Sequence, residues 1–189
     1  MPIYTPNQIE YALRIVAEDF PPVGIQAFLI GGLAVNQYGY ARSTLDVDFM
    51  VKETDQRVVH ELMSRNGYVN RSVMDNVVFY RHESGGFRVD FLSIDEATHD
   101  ILARRANLSD SFGFHLWVPH LEDLLATKIF SLSTGKTNRE VKDLPDIAHL
   151  CLINDLDLEK VVKPLCEKYN ALSVYEKIVR LLAGIVHDT

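Results

Sequence analysis

Thr44-Leu45-Asp46-Val47-Asp48-Phe49-Met50-Val51 is the stretch on which the reading of this chain turns. A β-strand sends successive side chains to opposite faces, so residues two apart point the same way and sit about 7 Å apart. Asp46 and Asp48 therefore share one face. Strands disfavour aspartate, and two like charges on one face repel unless a cation lies between them, which points to a divalent metal ion.

Upstream, Gln26-Ala-Phe-Leu-Ile30 is a short apolar run consistent with a buried strand, and it leads straight into Gly31-Gly32. Leu33 to Tyr38 reads as a short helix closed by Gly39, and Tyr40-Ala-Arg-Ser-Thr44 as the loop into the aspartate strand. Before these, Ile9, Leu13, Val16 and Ala17 at helical spacing predict a helix from Asn7 to about Asp19, ending ahead of Pro21-Pro22. Downstream, Val58, Val59, Leu62 and Met63 predict a helix over Asp55 to Asn66, with Gly67 as its stop. A hairpin follows, Asn76 to Arg81 and Phe87 to Ile94, turning at Ser84-Gly85-Gly86. Its second strand carries Asp90 among apolar neighbours, where a carboxylate is costly unless it is paired or metal-bound.

Asp95 and Glu96 open a short polar helix, Phe114 to Val118 adds a strand, and from Pro119 the pattern is helical. Helices are predicted over His120 to Leu132, Asp143 to Leu152, Leu158 to Tyr169 and Val174 to His187, with a polar loop at Ser133 to Asn138. The expected architecture is an α/β core with a mixed sheet over residues 1–118 and a helical region over 119–189 that completes a cleft. In the first of these helices Leu121, Leu125, Lys128 and Leu132 fall on one stripe, so the lysine takes a core position. It either meets a phosphate in the cleft or runs its stem along the apolar face to solvent. Asp143 ahead of Leu144-Pro145-Asp146 reads as a helix cap with a second acid in the first turn, or as part of the site.

Three acids on two strands and a glycine pair after an earlier strand fit one chemical task. Glycines let backbone approach a ligand closely, and a following helix start offers N–H groups to phosphate. Magnesium prefers hard oxygen ligands and is usually held by a few carboxylates plus substrate phosphates, which suits a nucleoside triphosphate. Asp90 would be a shared ligand or the base that receives the nucleophile's proton.

Gly31-Gly32, a helical turn, Arg42-Ser43-Thr44, Asp46-Val47-Asp48-Phe49 and a later strand Asp90 together resemble the nucleotidyltransferase superfamily, over about residues 26 to 94. Leu124-Leu-Ala-Thr-Lys128, with Arg139, Lys142-Asp143 and Asp146, is similar to the AbiEii-type toxin-like members. The resemblance implies transfer of a nucleoside monophosphate from an NTP to an acceptor hydroxyl, with Mg²⁺ or Mn²⁺ and release of pyrophosphate. It implies Asp46, Asp48 and Asp90 as catalytic metal ligands, and Gly31, Gly32, Arg42, Ser43, Thr44 and Lys128 beside the nucleotide. Many members carry serine at the second glycine, where its hydroxyl binds phosphate; with Gly32 that contact falls to Ser43 or Thr44. The acceptor could be tRNA or a protein, with a cognate antitoxin as partner, or a small molecule such as an aminoglycoside or lincosamide. A nucleotide-binding protein of the same fold with little turnover is the reading from another class.

Composition bounds these readings. The chain has 189 residues, enough for one domain or a core with a helical extension, and a formal charge of −7, which argues against non-specific coating of nucleic acid. The cations around Arg81, His82, Arg88, Arg104 and Arg105 read, one by one, as a solvated mixed-charge surface. Cys151 and Cys166 are too few and too far apart for a zinc cluster or disulfide framework and read as buried helix residues. No stretch has the length of a membrane span and Met1-Pro2-Ile3-Tyr4 lacks a leader pattern, so a cytoplasmic location is expected. No histidine stands in a metal-ligand spacing and no Gly-x-Ser-x-Gly elbow occurs, which removes hydrolase readings.

Overall fold

A computed structural model describes residues 8–134 and 139–187. The chain divides into two compact units: residues up to Gln37 together with Arg42–His120, and Tyr38–Ala41 together with Leu121 onward. The polar loop expected at Ser133 to Asn138 lies largely outside the described residues.

The first unit starts with α1 (Gln8–Arg14), which runs on through a π-helical turn at Ile15–Asp19. Strand β1 (Phe28–Ile30) passes directly into α2 (Gly31–Gln37), so the two glycines are the first residues of the helix rather than a linker ahead of it. After β2 (Asp46–Lys52) and α3 (Gln56–Arg65) come β3 (Tyr68–Met74), β4 (Val77–His82) and β5 (Arg88–Ile94), then α4 (Glu96–Arg105), β6 (Asn107–Ser111) and β7 (Phe114–Val118). The strands form one mixed sheet in the order β3-β4-β5-β2-β1-β7-β6.

Two strands are absent from the expectation drawn from sequence. The β3 strand pairs antiparallel with β4 at one edge, and a register shift at Asn70/Ser72 breaks the strict alternation by which a strand is recognised. At the other edge β6 pairs with β7, and its Asn-Leu-Ser-Asp-Ser composition reads as loop because only one of its five side chains is apolar. The α4 helix, expected to be short, runs ten residues, and its start is fixed by the Asp95 side chain, which accepts a hydrogen bond from the Thr98 backbone N–H.

The centre of the sheet is β2 lying parallel to β5, a pairing that requires the long crossover supplied by α3, β3 and β4. One face carries Phe49 and Phe91, both fully buried with rings 5.5 Å apart, with Phe20 stacked on Phe91 at 5.8 Å and Tyr80 meeting it edge-on. Burial of each phenylalanine contributes about 1.5–3 kcal/mol. The opposite face has a second apolar cluster, Phe28, Met50 and Leu102 of α4, joined by Ile30, Leu92 and Ile94. Met50 and Leu92 lie two residues beyond Asp48 and Asp90, so the acids continue the same face where the apolar side chains stop.

The second unit consists of α5 (Leu121–Ser133), α6 (Glu140–Ile153), α7 (Lys163–Lys168) entered through a π-helical turn at Leu158–Val162, and α8 (Leu172–His187). Leu124, Leu125, Ile129, Ile147, Leu150 and Ile178 form its interior. Tyr40 belongs to it, its ring parallel to that of His149 at 4.1 Å. Cys151 and Cys166 are buried free thiols, pushed by burial up to about 12 and about 11, so both stay protonated. No helix among the described residues is long and apolar enough to cross a membrane.

Candidate active site

Parallel pairing in register sets Asp46 of β2 opposite Arg88 of β5, and Asp48 opposite Asp90. Since residues two apart share a face, all four side chains project from the same surface of the sheet. Carboxylate oxygens of Asp46, Asp48 and Asp90 lie within 4.8 Å of one another. Asp90 is the most enclosed of the three residues, with 5% of its surface exposed. Three hard oxygen donors from two adjacent strands, crowded this closely, fit a divalent cation.

The glycines act on this triad sterically. Gly31 has φ +64°, and a Cβ there would lie 2.0 Å from Asp48 Oδ2. The bare backbone at the start of α2 is what leaves the Asp48 carboxylate its place. Gly32 makes room for the loop before β2, because its Cβ would come within 2.8 Å of Thr44 Cβ and 3.0 Å of Arg42 Nη1. Gly31→Ala is therefore expected to destabilise the protein by about 1–3 kcal/mol through its left-handed backbone and to push Asp48 aside. Gly24, with φ +79° and open space around it, is the control: Gly24→Ala shares the backbone cost in urea unfolding yet leaves activity intact.

The loop is held at both ends. Asn36 of α2 donates from Nδ2 to the Arg42 carbonyl at 3.2 Å and accepts from the Arg42 backbone N–H at 2.9 Å. The Thr44 hydroxyl donates to Asp46 Oδ1 at 2.8 Å and lies 3.2 Å from the Asp46 carbonyl oxygen. Of the two hydroxyls expected near phosphate, Thr44 is thus engaged with a carboxylate, whereas Ser43 is exposed. Arg42 lays Nη1 3.1 Å from the Ser43 carbonyl.

Arg88 is the residue the sequence reading missed. Instead of joining a solvated surface, its guanidinium bridges two acids, with Nη2 3.1 Å from Asp46 Oδ2 and Nε 2.7 Å from Asp90 Oδ1. It rests over the Phe79 ring, 4.9 Å from the centroid. Burial by itself would lower the Arg88 pKa, but Asp90 first and then Asp46 and Asp48 outweigh it and hold it above the ordinary value. The signal was in the spacing: Arg88 is two residues before Asp90 on the same strand, hence on the same face. For Asn36 no such signal exists, because a polar residue on a short helix does not announce its partner.

Lys128 does occupy a core position, yet it does not reach solvent. It is 5% exposed, and Nζ lies 2.9 Å from Asp143 Oδ1 and 2.6 Å from Asp146 Oδ2. The cap reading of Asp143 fails, because α6 begins at Glu140 and carries Asp143 inside its first turn, buried against the lysine.

The mixed sheet with its surrounding helices is the fold of solved nucleotidyltransferase structures. The antibiotic-resistance factor ANT(2″)-Ia, solved in complex with adenylyl-2″-tobramycin, superposes with a TM-score of 0.68 at 15% identity, over 89% of this chain and 99% of that one. Its solution structure gives 0.63 at 10% identity, over 96% and 100%. An antigenic nucleotidyltransferase-like protein from Paracoccidioides brasiliensis gives 0.56 at 15% identity, over 89% and 92%. At such identities the likeness is one of fold. No curated protein matches the chain by sequence. Residues 6–186 match a family described as uncharacterised nucleotidyltransferase, and the chain belongs to that family. The protein is a nucleotidyltransferase.

Proposed function

We propose that Asp46, Asp48 and Asp90 hold one or two magnesium ions, and that the protein transfers a nucleoside monophosphate from an NTP to an acceptor hydroxyl with release of pyrophosphate. The convergence of three carboxylates within 4.8 Å carries this reading. When bound, the metal neutralises charge on the triphosphate and lowers the pKa of a coordinated hydroxyl. The chain's own residues supply the remainder. Thr44 fixes the rotation of the Asp46 carboxylate, and Gly31 leaves Asp48 its place. We assign Asp90, the most enclosed acid, to take the acceptor proton. Arg42, Ser43 and the glycine pair line the approach of the phosphates.

For the acceptor we favour a small hydroxylated, cationic molecule. The formal charge of −7 suits a basic acceptor better than a polyanion, and the fold shared with ANT(2″)-Ia, solved in complex with adenylyl-2″-tobramycin, extends over 89% of this chain and 99% of that one. The toxin-like alternative, with a tRNA or protein acceptor and a cognate antitoxin, is supported by the similarity of Leu124–Lys128, Asp143 and Asp146 to AbiEii-type members. One assay separates them: incubate the protein with each radiolabelled NTP, magnesium and a fractionated RNA, protein and metabolite extract. Label in the metabolite fraction that is lost with Asp48→Ala supports the small acceptor; label in RNA or protein overturns it. Absence of label in every fraction overturns turnover itself.

A further inference from the structure

The geometry points to Arg88 as a resident counter-cation of the acidic triad, one that competes with divalent metal and so makes metal binding depend on nucleotide. This rests on the metal-binding reading above. Crowded within 4.8 Å, the three carboxylates repel unless a positive charge stands among them, and Arg88 supplies one such charge. Its contacts occupy Asp46 Oδ2 and Asp90 Oδ1, while Thr44 engages the other Asp46 oxygen. Both oxygens of Asp46 are therefore hydrogen-bonded before any ion arrives.

A divalent ion seeks the same oxygens and is repelled by the guanidinium at this range. Either Arg88 withdraws, or it stays and weakens the ion's hold; both outcomes lower the affinity for metal alone. Withdrawal is sterically open, since the side chain is 43% exposed and is seated on the Phe79 ring rather than enclosed. A guanidinium that leaves a carboxylate turns to the next anion within reach, and it matches phosphate geometry as well as carboxylate geometry. A triphosphate that enters with its metal offers that anion. Free metal therefore pays the cost of displacing Arg88, whereas metal bound to an NTP recovers it.

The test uses Mn²⁺ as the probe, with binding to the full chain followed by its electron paramagnetic resonance signal in the absence of nucleotide. Arg88→Met is expected to bind Mn²⁺ about tenfold more tightly than wild type, the scale of removing one partly screened charge beside the ion. Arg88→Lys, which keeps a charge but loses the two-handed bridge, is expected to fall between them. In metal-free buffer Arg88→Met should melt lower than wild type, and it should gain more from added Mn²⁺. A non-hydrolysable NTP analogue should tighten Mn²⁺ binding in wild type and do so much less in Arg88→Met. Unchanged or weaker Mn²⁺ affinity in both variants overturns the inference, while tight binding to wild type lost in Asp48→Ala leaves the metal site standing. Failure of wild type and both Arg88 variants to bind Mn²⁺ at all overturns the metal site itself.

Discussion

Asp48→Asn is expected to abolish nucleotidyl transfer while leaving the fold at least as stable as in wild type. The substitution keeps the size of a side chain that sits against the start of α2, where Gly31 leaves no space to spare. It also removes one of three crowded negative charges, which relieves repulsion rather than creating a vacancy. With that charge goes the donor strength toward a cation. Bound metal supplies several kcal/mol of charge stabilisation, and each tenfold in rate corresponds to about 1.4 kcal/mol. A loss of at least about 10³-fold in label transfer follows from those magnitudes, alongside a melting temperature that is unchanged or raised. Retention of more than about a tenth of the activity would mean that the acids are a surface cluster and that the chemistry lies elsewhere. The pairing with Gly31→Ala is informative because both variants disturb the same carboxylate. Asp48→Asn acts on charge and spares stability, whereas Gly31→Ala acts on position and lowers both.

What the sequence disclosed about this site is what depends on periodicity. Asp46, Asp48 and Asp90 could be assigned to faces because strand geometry alternates, and the structure sets them in register on neighbouring strands. The same rule contained Arg88, two residues before Asp90, but reading it required knowing that β5 lies parallel to β2, a pairing made across a long crossover. Edge strands β3 and β6 escaped for a different reason. Exposed edges carry polar side chains and tolerate shifts, so their order comes from ladder hydrogen bonds to β4 and β7 rather than from an apolar pattern of their own. Gly31 and Gly32 were read from the sequence as glycines that let backbone approach a phosphate, a reading that says nothing of what they do within the chain. The close approaches prove to be those of the Asp48 carboxylate and the Thr44 loop.

Lys128→Met is expected to destabilise the helical unit by about 3–5 kcal/mol, the cost of breaking a buried ion pair by removing one partner. Lys128, Asp143 and Asp146 have side-chain exposures of 6%, 10% and 1%, so solvent does little to screen what remains. Urea unfolding should show the loss, and Phe130, Val141 or other exposed α5 and α6 positions should tolerate substitution without it. Stability alone does not separate a structural lysine from one that also meets a phosphate, because both fail when the unit unfolds. The discriminating variant replaces all three side chains, Lys128→Met with Asp143→Leu and Asp146→Leu. Apolar replacement of a buried ionic triad is often neutral or stabilising by about 1–4 kcal/mol, so this triple variant should recover the stability lost by Lys128→Met. If it also transfers label at the wild-type rate, the cluster only holds α5 to α6. A stable but inactive triple variant would instead return Lys128 to the nucleotide, with the two aspartates as the residues that keep its ammonium oriented.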